Sequence, residues 1–443
     1  MARLASYWFA GLAVLSSAFS AMAAPPQAID RGPLTVLAAD TPISVTIALA
    51  LPALDEAEKL QQALYTPGDP QFHKFLTADQ FVARFAPSGA EIARIVAALS
   101  RYGLSAEKTT ATTLRVSGLP ADMERAFLVS LHSYEVAPHE KSRGYTYHAP
   151  LSRPTIPAEI SAAVATIAGL DNRPVAHPHL KTALPFQRPV SPDVPLKATG
   201  NPLGLLTVND FASQYDVEPL YNKGVTGRGR TVGIVTLAAF TPSDAYKYRQ
   251  AIGLKVAPNR IQVINIDGGP GAPSDASGSV ETALDVEQAG GVAPGAKIIV
   301  YQAPNDIQGW VDAFAAVTDA NLADSFSTSW GNWEWAFANT EGYPAVIDPI
   351  TGRTVAPLQA FHELLLRAAI QGQTASASAG DGGAYDVVND LACPVPYSAA
   401  VAHSCSATLT VDYPASDPLI TAGGGTTLPG QLQFCLNAAC TPL

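Results

Sequence analysis

Glu281 and Asp285 stand four residues apart in GSVETALDVEQAGGVAPGAKIIVY, where the apolar spacing predicts a helix over 280–289. On a helix that spacing puts both carboxylates on one face, about 6 Å apart along the axis. In a cleft, the coupling of two such acids can split their pKa values, so that they share a proton. On an open surface they are only a solvated acidic face. A second group is Ser378-Ala379-Gly380-Asp381-Gly382-Gly383, at the end of a strand predicted over 374–379. Gly380 and Gly382 would let backbone approach a ligand closely beside Asp381; the plainer reading is a tight turn. A third is Ser327-Thr328-Ser329-Trp330-Gly331, followed by Trp333 and Trp335. Ser329, Trp330 and Gly331 would wall a substrate groove, unless the tryptophans belong to the core. No GxSxG, HExxH or phosphate-binding loop occurs. From 205 onward the histidines are His362, in the helical context AFHELLLRA, and His403, between two cysteines. Neither context favours a catalytic base, so acid–base work falls to carboxylates. A glycosidase would need its two carboxyls facing across a sugar rather than stacked on one helix.

These groups need a frame that gathers strand ends. From 205 onward strands (231–238, 261–266, 298–302, 324–330, 374–379) alternate with helices (243–252, 280–289, 310–320, 357–370). That rhythm predicts an α/β fold with a parallel sheet covered on both faces and sites beyond its carboxyl ends. The earlier region reads differently: a strand over 41–51, helices over 55–65, 81–85 (capped at Thr77) and from Ser88, a strand over 112–116, a helix over 120–127 and a strand over 131–135. This is the pattern of a compact α+β domain. Between them, 172–202 holds seven prolines and reads as an extended, exposed linker open to proteolysis.

Residues 1–23 read as a signal peptide: Arg3, an uncharged apolar run over 7–19, and Ala21-Met22-Ala23 as a small-x-small cleavage site. The run is short for a membrane span, so the expectation is a secreted protein, extracellular or periplasmic, without a membrane anchor. Export suits the four cysteines, Cys393, Cys405, Cys435 and Cys440, as disulfides. Three pairings are open, the simplest being Cys393–Cys405 with Cys435–Cys440. Zinc is the rival, but CxxC spacing is absent. With 27 basic against 38 acidic residues the net charge is −11, a poor basis for holding nucleic acid. The first 200 residues hold 17 basic and 16 acidic groups and the remainder 10 and 22, so opposite fields would help the two regions dock.

Taken in order, these stretches resemble the sedolisin (kumamolisin) family of serine-carboxyl peptidases. The residues that carry the resemblance are ETALD (281–285), STSWG (327–331) and SAGDGG (378–383). Supporting them are Tyr65-Thr66-Pro67 with HKFLTADQFVARFAPS (73–88), GRGRTVGI (227–234), APGA (293–296), and Tyr413-Pro414-Ala415-Ser416 through Gly424-Gly425-Thr426-Thr427. The resemblance implies a subtilisin-like peptidase domain over 205–443, a linker over 172–204 with the maturation site, and a ferredoxin-like propeptide over 24–171. It implies an acid-acting endopeptidase precursor, a monomer, whose partners are protein or peptide substrates and its own propeptide. Glu281 would be the base for a serine nucleophile, Asp285 would orient it, and Asp381 would stand in the oxyanion hole as a neutral acid. The family's Gly-Thr-Ser nucleophile motif occurs nowhere in the 443 residues. The expectation is therefore a chain that ends before the nucleophile and before the family's calcium site, beyond Leu443, leaving no cofactor or metal here. The alternative is an exported non-catalytic homologue that acts as a binding protein.

Overall fold

A computed structural model describes residues 28–138, 144–178, 207–274, 277–340, 343–344, 346–347, 354–384, 386 and 409–426. The signal segment, linker residues 179–204 and all four cysteines lie outside the described residues.

The N-terminal region runs β1 (Ile29–Pro33), α1 (Leu34–Leu37), β2 (Ile43–Leu49), α2 (Leu54–Tyr65), α3 (Ala78–Phe85), α4 (Gly89–Ser100), β3 (Ser105–Lys108), β4 (Thr113–Gly118), α5 (Pro120–Phe127), β5 (Leu131–Val136), β6 (Tyr145–Pro150) and β7 (Val164–Ala168). Its main sheet is antiparallel, in the order β3-β4-β2-β7, and β1-β5-β6 form a second one. Local chemistry sets the helix starts. Thr77 Oγ1 accepts from the Gln80 amide while Gln80 Oε1 accepts from the Thr77 amide, a capping box that opens α3. Ser88 caps α4 through the Glu91 amide. Val45, Ile47, Leu114 and Val116 fill the sheet's buried face with Ile95, Leu99 and Met123.

After the two-residue strand β8 (His177–Pro178), the second region runs α6 (Val208–Gln214), α7 (Glu218–Asn222), β9 (Thr231–Thr236), α8 (Pro242–Ala251), β10 (Ile261–Asn265), α9 (Ser279–Val292), β11 (Lys297–Gln302), α10 (Ile307–Ala320), β12 (Ser325–Thr328) and β13 (Trp330–Trp333). The hairpins β14 (Asn339–Thr340) with β15 (Tyr343–Pro344) and β16 (Val346–Ile347) with β17 (Thr354–Val355) precede α11 (Pro357–Gln371), β18 (Thr374–Ser378), β19 (Asp412–Tyr413) and β20 (Thr421–Gly423). Six strands form one parallel sheet, β10-β11-β9-β12-β18-β20. This is the α/β parallel architecture that the alternating pattern predicts.

The N-terminal sheet lies on α10 and α11. Apolar contact comes from Leu60, Leu64, Phe81 and Phe85 against Leu366 and Ile370. Four of the polar contacts are carboxylates of the second region receiving donors from the first. The Thr46 hydroxyl donates to Asp312 (2.6 Å), the Leu51 amide to Glu363 (2.6 Å) and the Ala111 amide to Asp319 (2.9 Å), while Arg115 pairs with Asp267. A cavity of about 690 Å³ lies at this junction, lined by Arg115, Asp267, Asp306 and Asp312 among others.

One expectation is corrected. The start of the proline-rich stretch is not an exposed linker: Ala176 is buried in the main core, and His177–Pro178 pair with Trp330–Gly331 as an antiparallel strand. Prolines and a lack of periodicity mark extended backbone, but extended backbone is equally what an added strand needs. The sequence carries no mark of the partner that buries it.

Candidate active site

Helix α9 carries the acid pair, and its position is fixed by buried hydroxyls. Thr236, at the end of β9, shares a hydrogen bond with Thr282 (2.7 Å) and accepts from Trp330 Nε1 (2.9 Å). Thr282 also donates to the Ala238 carbonyl, and Ser279 to that of Ala239. Gly278 starts the helix at φ +87°, and a Cβ there would lie 2.7 Å from the Trp330 ring. Only glycine meets both demands.

On this helix Glu281 is buried and Asp285 half-buried, with Asp285 Oδ2 and Glu281 Oε2 shielded from solvent. The two carboxyls act on each other's ionisation, and the Ser329 hydroxyl donates to Asp285 Oδ1 at 2.6 Å. Burial, and then the Glu281 carboxylate, hold the Asp285 carboxyl well above the usual carboxylate range, against the lowering effect of Ser329. Of the readings open for ExxxD, the solvated face does not hold.

Asp381 leaves the next strand. β12 and β18 run side by side with Thr328 opposite Ala377, so Ser329 and the Asp381 loop emerge from the same edge of the sheet. Behind that loop stand Asp386 and Asp412. The Gly382 amide donates to Asp386 (3.3 Å), and a Cβ on Gly380 would lie 2.8 Å from Asp386 Oδ1 and 3.0 Å from Asp412 Cβ. Burial, the Asp386 carboxylate and then Asp381 push Asp412 up to about 10. Gly380 is therefore small because two acids press on its back.

The remaining residues divide. Trp330 is buried in the core, its indole turned to Thr236, while its backbone and that of Gly331 pair with β8. The core reading holds for its side chain. Ser329 turns its hydroxyl to the acid pair. His362 pairs with Asp417 (2.9 Å), a hydrogen bond that raises its pKa.

Two contributors carry no motif. Asn305, three residues past β11, accepts from the Ala176 amide (3.0 Å) and donates to the Ala176 carbonyl (2.7 Å). Asn332 donates to the Val175 carbonyl (2.6 Å). Together with Gly331 they hold 175–178 across the carboxyl edge of the sheet, beside Gly278 and Trp330. The position of Asn305 just after a strand end is the one signal the sequence offers. Among the described residues no group of three or more His, Cys, Asp or Glu is placed to hold a metal ion, and no helix is long and apolar enough to cross a membrane.

A parallel α/β sheet with buried acids at its carboxyl edge, covered by a separate N-terminal domain whose tail lies along that edge, defines a class: an α/β protein with a pro-domain-like cover. The family description "Pro-kumamolisin, activation domain" matches residues 33–173. Kumamolisin of Bacillus sp. (strain MN-32) is 31% identical over 415 residues, 91% of this chain and 65% of that protein. Sedolisin of Pseudomonas sp. (strain 101) is 30% identical over 412 residues, 91% of this chain and 62% of that protein. Among solved structures, Pseudomonas sedolisin, a serine-carboxyl proteinase complexed with two molecules of pseudo-iodotyrostatin, matches at 26% identity and a TM-score of 0.34, covering 49% of this chain and 56% of that one. The chain is similar to kumamolisin and sedolisin along most of its own length, and it spans less than two thirds of the length of these curated relatives.

Proposed function

We propose that the chain is the propeptide and the acid–base part of the catalytic domain of a secreted serine-carboxyl endopeptidase working at acid pH. The observation that carries this is the placement of 175–178. An extended segment of the N-terminal domain is added as a strand to Trp330–Gly331, clamped by Asn305 and Asn332. It lies one residue from Ser329, which touches Asp285. A groove that binds extended backbone through its amides and carbonyls suits a peptide substrate. The sheet order β3-β4-β2-β7, with helices on the first and last crossovers, supports a ferredoxin-like propeptide.

In this reading Glu281 takes the proton of a serine hydroxyl as it attacks a peptide carbonyl. Asp285 shares a proton with Glu281 and sets its basicity. Asp381 donates a hydrogen bond to the oxyanion, in a loop braced by Asp386 and Asp412. A carboxylate base keeps working at pH values where an imidazole is protonated. The 443 residues contain no Gly-Thr-Ser, so the nucleophile is not assigned within them.

The test exposes the protein to acid pH for maturation and follows its action on a mixed peptide library. Hydrolysis lost in Glu281→Gln and in Asp381→Asn supports the reading. Hydrolysis retained in both overturns it. Absence of hydrolysis with retention of extended peptides favours an exported binding protein.

A further inference from the structure

We infer that Ser329 is a positioning residue of the acid pair: its hydroxyl fixes Asp285 Oδ1 and leaves Oδ2 as the oxygen that shares a proton with Glu281. Ser329 is the single residue between β12 and β13, two strands in different sheets, and both its neighbours are pinned. Thr328 sits opposite Ala377, and its hydroxyl accepts from the Trp330 amide (3.3 Å). Trp330 is held by β8 through its backbone and by Thr236 through its indole. The Ser329 backbone is thus fixed before its side chain chooses a rotamer, so the 2.6 Å bond to Asp285 costs little further ordering.

The chemical consequence is directional. A hydroxyl that donates to a carboxylate favours its ionised form. From its own helix Asp285 faces Glu281, whose charge acts the other way; from the β12–β13 turn it faces Ser329. Ser329 therefore lowers the pair's upper titration, and an ionised Asp285 beside it makes Glu281 the readier to receive a proton. The turn also links groove and chemistry, because the next two residues carry the extended segment.

The catalytic meaning of this rests on Glu281 and Asp285 being the acid–base pair, but the measurement does not require cleavage. Carboxyl protonation is followed by infrared difference spectroscopy or carboxyl-labelled NMR on the 443-residue chain, with Asp285→Asn identifying the signal. Ser329→Ala is expected to raise the pair's upper titration by about one to two pH units, the effect of losing one hydrogen bond to a charged group. Ser329→Thr, which keeps a hydroxyl, is expected to restore it. A Ser329→Ala titration unchanged from the parent overturns the inference, and so does a shift that folded Ser329→Thr fails to reverse. A purely structural role would lower the melting temperature and leave the titration in place.

Discussion

Thr236 contributes no charge, yet its hydroxyl helps to set where the acids stand. Its hydroxyl is buried between Thr282 and the Trp330 indole, so one oxygen ties helix α9 to the turn that carries Ser329. Thr236→Val keeps the shape and removes the oxygen, leaving an indole N–H and a hydroxyl buried without it. The expected cost is about 1–3 kcal/mol, read from urea unfolding. A change under a few tenths would mean that the indole finds another acceptor. The acids themselves were legible as a pair because ExxxD is a helical spacing. What the sequence could not convey is that α9 is buried along the face that carries them: burial depends on Trp330 and Thr236, which are 49 and 45 positions from Glu281.

At the level of elements, the helices and strands of the parallel sheet were readable almost throughout, because each buries a stripe or a face that leaves its period in the chain. The predicted strand over 324–330 fails instructively. The structure splits it at Ser329 into β12, in the parallel sheet, and β13, paired with β8 and β19. A continuous run of apolar and hydroxyl residues gives no sign of a change of partner. The strands β3, β6 and β7, the burial of Ala176 and the pairing of 177–178 escaped for the same reason, since all are defined by what lies opposite them. The last of these yields a prediction. Asn305 satisfies both backbone groups of Ala176. In Asn305→Ala the segment 173–178 should exchange its amide hydrogens about tenfold faster or more, while β9 and β11 remain protected. Unchanged exchange across 173–178 would show that β13 alone holds the strand.

Across the whole molecule, buried carboxylates, some at the junction of the two regions and more within the second, give stability a direction in pH. Asp412 is pushed up to about 10, Glu287 to about 7 and Asp306 to about 6, each chiefly by burial, and Asp285 and Asp312 are raised as well. Unfolded carboxyls titrate near about 4. Between those values the folded chain binds more protons than the unfolded one, so unfolding releases protons and stability falls as pH rises. His362, raised by its bond to Asp417, acts in the same sense: its contribution is present below the unfolded value and is lost as pH passes the folded one. His148, lowered by burial, opposes over a narrow range near neutrality. The carboxyls extend furthest, so the melting temperature should be highest near about pH 5 and decline steadily toward about pH 9. Asp412→Asn tests the assignment, because a neutral amide in that place removes the group that titrates last. Its melting temperature should match the parent's in acid and exceed it in alkali, flattening the upper part of the profile. A parent chain that becomes more stable from about pH 5 to about pH 9 would mean that the buried acids stay ionised and are held by partners, and the acid-favouring character read from the site would then have no basis in the folded state.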